Sequence, residues 1–133
     1  MQENTRLKIG ITIGDMNGVG PEIILKTFQD NRILDFCTPI IYASAKSLEF
    51  ISKELHYAVS FNHIVSAEEA EPNQINIVSC WKDEPKINFG IKDKNIGRHA
   101  IMSLKKATKD LKNKLINVMV TGPINKNCVQ SDE

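Results

Sequence analysis

From Arg6 to Ile13 the chain sets Leu7, Ile9, Ile11 and Ile13 at alternate positions and then meets Gly14, the period-two pattern of a strand ended by a breaker. Gly14, Gly18 and Gly20 follow within one short stretch, and Pro21-Glu22 comes directly after. Proline suits the first turn of a helix, and an early glutamate suits the positive end of its dipole. A strand that passes through a tight turn straight into a helix returns as a parallel neighbour, which commits the chain to α/β crossover units.

The rest of the sequence repeats the alternation. Ile24 and Phe28, four apart, are expected on the core side of the first helix. Pro39-Ile40-Ile41-Tyr42-Ala43 reads as a short buried parallel strand, and Ser44 or Ser47 can cap the helix after it. Leu48, Ile51 and Leu55 share one side of that helix. Val59 to Val65 and Ile75 to Ser79 read as a third and a fourth strand around a polar, proline-interrupted stretch, Ser66 to Asn73. Lys82 to Lys94, with Pro85, Gly90 and many charges, reads as a loop or edge hairpin. The longest helix is expected from Asn95 or Ile96 to Asn113, with Ile101, Leu104, Leu111 and Leu115 at helical spacing. Ile116 to Val120 then reads as another buried strand, broken at Thr121-Gly122-Pro123. The expected product is a single α/β unit, residues 1–133, with a mostly parallel sheet covered on both faces. Because the last strand lies so near the final residue, the polypeptide reads as cut off.

Composition narrows the function. The 133 residues carry 17 Lys plus Arg against 16 Asp plus Glu, a balance that lacks the basic footprint of a nucleic-acid binder. The lysine run Lys105, Lys106, Lys109, Lys112 and Lys114 reads as a solvated helix face. No apolar run approaches the roughly 18 residues of a membrane span, and the polar start Met1-Gln2-Glu3-Asn4 is unlike a signal peptide. The expected compartment is the cytoplasm. Cys37, Cys80 and Cys128 have no Cys-x-x-Cys spacing, and His56, His63 and His99 are scattered without ligand spacing. These six read as packed or structural groups.

Two segments carry the chemical signal. In Gly14-Asp15-Met16-Asn17-Gly18-Val19-Gly20-Pro21-Glu22 the glycine spacing fits neither Gly-x-Gly-x-x-Gly nor the P-loop Gly-x-x-x-x-Gly-Lys. Asp15 repels phosphate and Pro21 removes a backbone donor from the helix start. The loop therefore suits a hydroxyl, amide or ammonium partner, or else it is a tight turn capped by Asp15. In Val120-Thr121-Gly122-Pro123-Ile124-Asn125-Lys126 a second strand ends in a rigid turn with polar groups beyond it. Thr121, Asn125 and Lys126 can meet a carboxylate or phosphate, or form a solvated surface turn. Both segments belong on the C-terminal edge of the sheet, where open parallel sheets bind ligands.

Together with the Gly97 to Ala107 helix, these two segments resemble the N-terminal part of the 4-hydroxythreonine-4-phosphate dehydrogenase family of pyridoxal phosphate biosynthesis. The resemblance runs from about Lys8 to Glu133, in matching order and spacing. Met16-Asn17 stands where that family commonly has Pro-Ala. The resemblance implies a three-layer α/β/α fold of the isocitrate and isopropylmalate dehydrogenase type, incomplete in this chain, and a homodimer. It implies oxidation of the secondary alcohol of 4-phosphooxy-L-threonine with NAD or NADP, then loss of CO2 to 3-amino-2-oxopropyl phosphate, with a divalent metal (zinc, magnesium or cobalt) polarising the alcohol oxygen. By this resemblance Asp15, Asn17, Gly18, Gly20 and Glu22, with Thr121, Gly122, Pro123 and Lys126, belong to the active-site wall or lie near the cofactor. No catalytic or metal-ligating residue is carried over: the Gly-His-Thr-Glu motif and three histidine ligands fall beyond Glu133 in the family, and His56, His63 and His99 do not match them. The expectation is a chain inactive alone. The rivals are another enzyme on the same fold, a malate-type decarboxylating dehydrogenase or acyl-phosphate transferase, and a non-catalytic α/β ligand-binding domain.

Overall fold

A computed structural model describes residues 6–124; Asn125, Lys126 and Cys128, singled out in the sequence, lie outside them. Five strands, β1 (Leu7–Thr12), β2 (Cys37–Ala43), β3 (Asn62–Ile64), β4 (Asn76–Ser79) and β5 (Val118–Val120), pair in the order β3-β4-β2-β1-β5. Every pairing is parallel. Three helices, α1 (Gly20–Phe28), α2 (Ala45–Glu54) and α3 (Lys94–Lys112), connect them, with 3-10 turns at Asn31–Asp35 and Ala67–Glu69.

The two sheet faces have separate cores, so the architecture is three layers as expected. On one face Ile24, Leu25 and Phe28 of α1 and Leu48 and Ile51 of α2 pack on Ile41, Ala43 and Ile77. On the other, Ala107 of α3 and Ile116 pack on Ile40, Tyr42 and Val78. The strand β2 is buried at every position, which its unbroken apolar run requires. Pro39 is tolerated inside it because β4 begins one rung later, at Ile40↔Asn76, and no ladder acceptor waits for the missing N–H. Instead the Pro39 carbonyl accepts from Asn76 Nδ2 at 3.0 Å. Ser44 caps α2 through the Ser47 N–H, 3.1 Å, and Asp93 caps α3 through the Asn95 N–H, 2.8 Å.

Four expectations need correction. The third strand is Asn62–Ile64, not Val59 to Val65, because its partner β4 has only four residues to offer. The fifth strand is an edge, with Val118 and Val120 exposed, while the buried Ile116 precedes it. The first strand is not one-faced: Gly10 and Thr12 are buried opposite Ile9 and Ile11, and a methyl at Gly10 would collide with Ile116 Cδ1. The face of α3 turned to the sheet is Ile96, Ala100, Ser103, Ala107 and Asp110. Ile101, Leu104 and Leu111 flank it, half-buried, since small residues are what let the helix approach the strands.

Polar atoms on that face have defined work. The Ile13 N–H donates to the Ser103 hydroxyl at 3.1 Å, and this hydroxyl donates to the Tyr42 carbonyl at 2.6 Å. With Thr12 opposite Tyr42, the next ladder bond would run directly from Ile13 N to Tyr42 O. The hydroxyl is inserted into that rung, so β1 and β2 part where the glycine loop begins. Deeper on the same face the Tyr42 hydroxyl donates to Asp110 Oδ2 at 2.7 Å, and Lys106 Nζ lies 3.3 Å from Oδ1. Burial and the adjacent Asp110 both push ionisation of Tyr42 upward.

Ser103→Ala leaves the Ile13 N–H and Tyr42 carbonyl without their bridge and is expected to cost about 1–3 kcal/mol, read from the urea denaturation midpoint of the chain. Burial pushes the Cys80 thiol up to about 12, whereas the unfolded thiol titrates near about 8.5. Between those values the folded state keeps a proton that the unfolded state has lost, so stability falls as pH rises through the window. Cys80→Ala is expected to flatten that alkaline decline in pH-resolved denaturation.

Candidate functional site

The strand order reverses between β1 and β5. From β1 the chain leaves through α1 toward β2 on one side, whereas α3 carries it across the sheet to β5 on the other. This is the switch point at which the loops beyond two neighbouring strands diverge and leave a crevice. Both sequence motifs stand there.

Close backbone packing joins them. The Gly122 N–H meets the Thr12 carbonyl at 3.2 Å and the Thr12 hydroxyl at 3.0 Å, and the Asp15 N–H donates to the Pro123 carbonyl at 2.8 Å. A methyl on Gly122 would lie 2.7 Å from Thr12 O and 2.9 Å from Ile13 O. Gly14 has φ +69°, and a methyl there would run into the Pro123 carbonyl. A methyl on Gly20 would lie 3.2 Å from both the Ile13 carbonyl oxygen and the Pro123 ring. Glycine is needed at these positions for contact between two loops as well as for turning the chain.

The site residues divide by what they face. Asp15 is half-buried; its Oδ1 accepts the Asn17 N–H at 3.0 Å, and its carbonyl accepts the Gly18 N–H at 2.9 Å. Gly18, Thr121 and Pro123 are exposed, and Gly122 is half-buried. Glu22 stands in the first turn of α1, with the Tyr57 hydroxyl 3.5 Å from its Oε2. Asn17 is turned inward and buried, and Met16 beside it is part of the core. The α1 N-cap, Val19, makes no side-chain cap bond. With Pro21 lacking an N–H, this helix start offers fewer donors than a phosphate cradle needs. The arrangement provides a half-buried carboxylate, an exposed threonine and a close-packed floor of backbone, chemistry suited to a hydroxyl or ammonium group.

The histidines lie apart from one another. His99 is buried at the start of α3, with Nδ1 2.7 Å from the Asn95 carbonyl, Nε2 2.8 Å from Asp83 Oδ2, and its ring edge-on to Trp81 at 4.8 Å. It thereby ties the start of α3 to the loop after β4. His63 pairs with Glu49 at 3.1 Å on the surface, and His56 follows α2 with φ 62°. Among the described residues no three His, Cys, Asp or Glu side chains gather to hold a metal ion, so a divalent metal does not fit them. No helix of the described residues is long and apolar enough to cross a membrane.

Sequence reading missed one contributor to this edge and the orientation of another. Ser103 was legible only as a polar residue between Ala100 and Ala107 on an otherwise small-residue stripe, and Asn17, expected in the wall, turns inward with no local signal to show it. Gly122→Ala tests the joint between the loops: pushing Thr12 and Pro123 apart is expected to cost about 1–3 kcal/mol, measured by thermal and urea unfolding, with the larger change in amide exchange at Asp15.

A family model described as pyridoxal phosphate biosynthetic protein PdxA matches residues 35–133. A 4-hydroxythreonine-4-phosphate dehydrogenase of Bacteroides thetaiotaomicron is 44% identical over 133 residues, covering 100% of this chain and 36% of that protein. An Oceanobacillus iheyensis protein provisionally named D-threonate 4-phosphate dehydrogenase is 30% identical over 125 residues, covering 92% of this chain and 38% of that protein. The crystal structure of a 4-hydroxythreonine-4-phosphate dehydrogenase from Burkholderia phymatum superposes with a TM-score of 0.83 at 27% identity, over 97% of this chain and 40% of that one. The chain thus spans a little over a third of the length of the relatives it matches. The order of its motifs, their meeting at the sheet's switch point and these matches agree, and the chain belongs to the PdxA family.

Proposed function

We propose that this chain is the N-terminal part of an NAD- or NADP-dependent dehydrogenase that oxidises 4-phosphooxy-L-threonine, with decarboxylation to 3-amino-2-oxopropyl phosphate, in pyridoxal 5'-phosphate biosynthesis. The observation that carries the reading is the convergence of the two motif loops at one crevice, in a chain 44% identical to a dehydrogenase of that name. The role of these residues is to bind and orient. Asp15, held on one oxygen by the Asn17 N–H, presents its other oxygen to the amino-alcohol end of the substrate, and Thr121 offers a hydroxyl from the neighbouring strand end. Gly18, Gly20, Gly122 and Pro123 form the wall, with Glu22 behind it and Lys126 following the second loop. The described residues supply no metal site; by the family resemblance a divalent metal would assist oxidation of the alcohol, and its ligands and the main nicotinamide contacts would come from family length that this chain does not span. The assembled enzyme is a cytoplasmic homodimer with a small phosphorylated substrate and no nucleic-acid or membrane partner.

A second substrate is favoured by one observation, the 30% identity to the protein named for D-threonate 4-phosphate. That compound replaces the ammonium with a hydroxyl, which Asp15 can also accept. Both readings are tested by extending the source reading frame past the Glu133 codon and assaying the two products for reduced nicotinamide with zinc and each substrate. The expected result is no turnover by the 133-residue chain and metal-dependent turnover of 4-phosphooxy-L-threonine by an extended chain that reaches Gly-His-Thr-Glu. Turnover by the short chain overturns its inactivity, preference for D-threonate 4-phosphate overturns the substrate, and a stop codon directly after Glu133 overturns the reading as part of a dehydrogenase.

A further inference from the structure

One residue of the first motif binds a distant loop through both ends of its side-chain amide and through its own carbonyl. Asn17 is 3% exposed. Its Nδ2 donates to the Ile91 carbonyl at 2.9 Å, its Oδ1 accepts the Asn88 N–H at 2.9 Å, and its own carbonyl accepts the Gly90 N–H at 2.7 Å. These three bonds reach both ends and the apex of a single turn, Asn88–Ile91, which closes through the Ile91 N–H and Asn88 carbonyl at 3.1 Å with Gly90 at φ +83°. The stretch between β4 and α3 has no other regular element, and this turn carries the exposed apolar residues Phe89 and Ile91. On its other side the Asn17 N–H holds Asp15 Oδ1. Carboxylate, amide and turn form one connected chain of bonds.

We propose that Asn17 is a positioning residue: its amide clamps the 88–91 turn onto the loop leaving β1, so that the aim of the Asp15 carboxylate and the placement of that turn beside the crevice are set together. An alanine, the residue the family resemblance puts here, has neither the side-chain donor nor the side-chain acceptor that the clamp uses. The amide is specific in both halves. It meets one N–H and one C=O, and the isosteric aspartate would set a second acceptor against the Ile91 carbonyl. The importance of the clamp for catalysis rests on the function proposed above, whereas its existence does not.

The test is residue-resolved amide exchange and carboxyl 13C NMR on the 133-residue chain, comparing wild type, Asn17→Ala and Asn17→Asp. Both variants are expected to speed exchange of the Gly90 N–H by at least about tenfold through local opening and to shift the Asp15 carboxyl resonance. The amides of Ile11 and Ile41 in the sheet stay at wild-type protection. An unchanged Gly90 rate overturns the clamp, and a uniform loss of protection across the sheet shows a merely stabilising residue and overturns positioning. Wild-type behaviour of Asn17→Asp overturns the two-sided amide. No substrate is present, so failure of the dehydrogenase reading leaves these outcomes readable on their own.

Discussion

The backbone contact between the ends of β1 and β5 is the constraint on which the candidate site depends. Gly122 reaches Thr12 and Ile13, and Asp15 reaches Pro123, in a space where a single added methyl would meet carbonyl oxygens. Such an approach is made by main chain, so it fixes the two loops relative to each other more firmly than side-chain packing at a surface would. It also explains why α3 must cross the whole sheet: only that connection delivers β5 to the free side of β1. On the opposite side of the same strand end, Ser103 enters the rung between Ile13 and Tyr42. β1 is therefore held tightly to β5 and parted from β2 at one level. The loop that follows is directed by this asymmetry before any of its own side chains act.

Much of the frame was legible from pattern. The first strand, the glycine turn, α1 with Pro21, the Ser44 cap and the long third helix all follow from local rules, because each is set by residues within a few positions of one another. The departures share a physical cause, dependence on a distant partner. Val59 and Phe61 carry strand-like character and pack on the core, yet pairing stops at Asn62 because the sheet offers no longer neighbour; the Asn76 side chain instead binds the carbonyls of Glu71 and Gln74, both at 3.2 Å. In α3 the large residues Leu104 and Leu111 draw attention on the helical wheel, while the helix approaches the strands along Ala100, Ser103 and Ala107. Volume ranks residues by transfer energy, but close approach selects small ones.

The same distinction divides the site. Asp15, Gly14, Gly20 and Gly122 are conspicuous because carboxylates and glycines at strand ends have few other uses. Asn17 is conspicuous to no local rule, since its partners lie more than seventy positions away along the chain. Its burial also separates two meanings of belonging to a site wall. Asp15 and Thr121 face outward, where a ligand can meet them. Asn17 faces inward and acts on the wall's shape.

The chemistry of this wall limits what it can recognise. Asp15 stands at a helix start from which Pro21 has removed one donor, and the cap position adds no side-chain bond. An anion brought to that point meets a negative charge and too few N–H groups to offset its desolvation. A hydroxyl or ammonium meets a fixed acceptor whose other oxygen is already held, so little ordering entropy is left to lose on binding. For a phosphorylated amino alcohol, the two ends then need opposite environments, and a single loop cannot provide both. The wall described here suits the amino-alcohol end. On the proposed function, the phosphate end would be met by residues outside these two loops, while the close-packed ends of β1 and β5 supply a rigid wall for the other end.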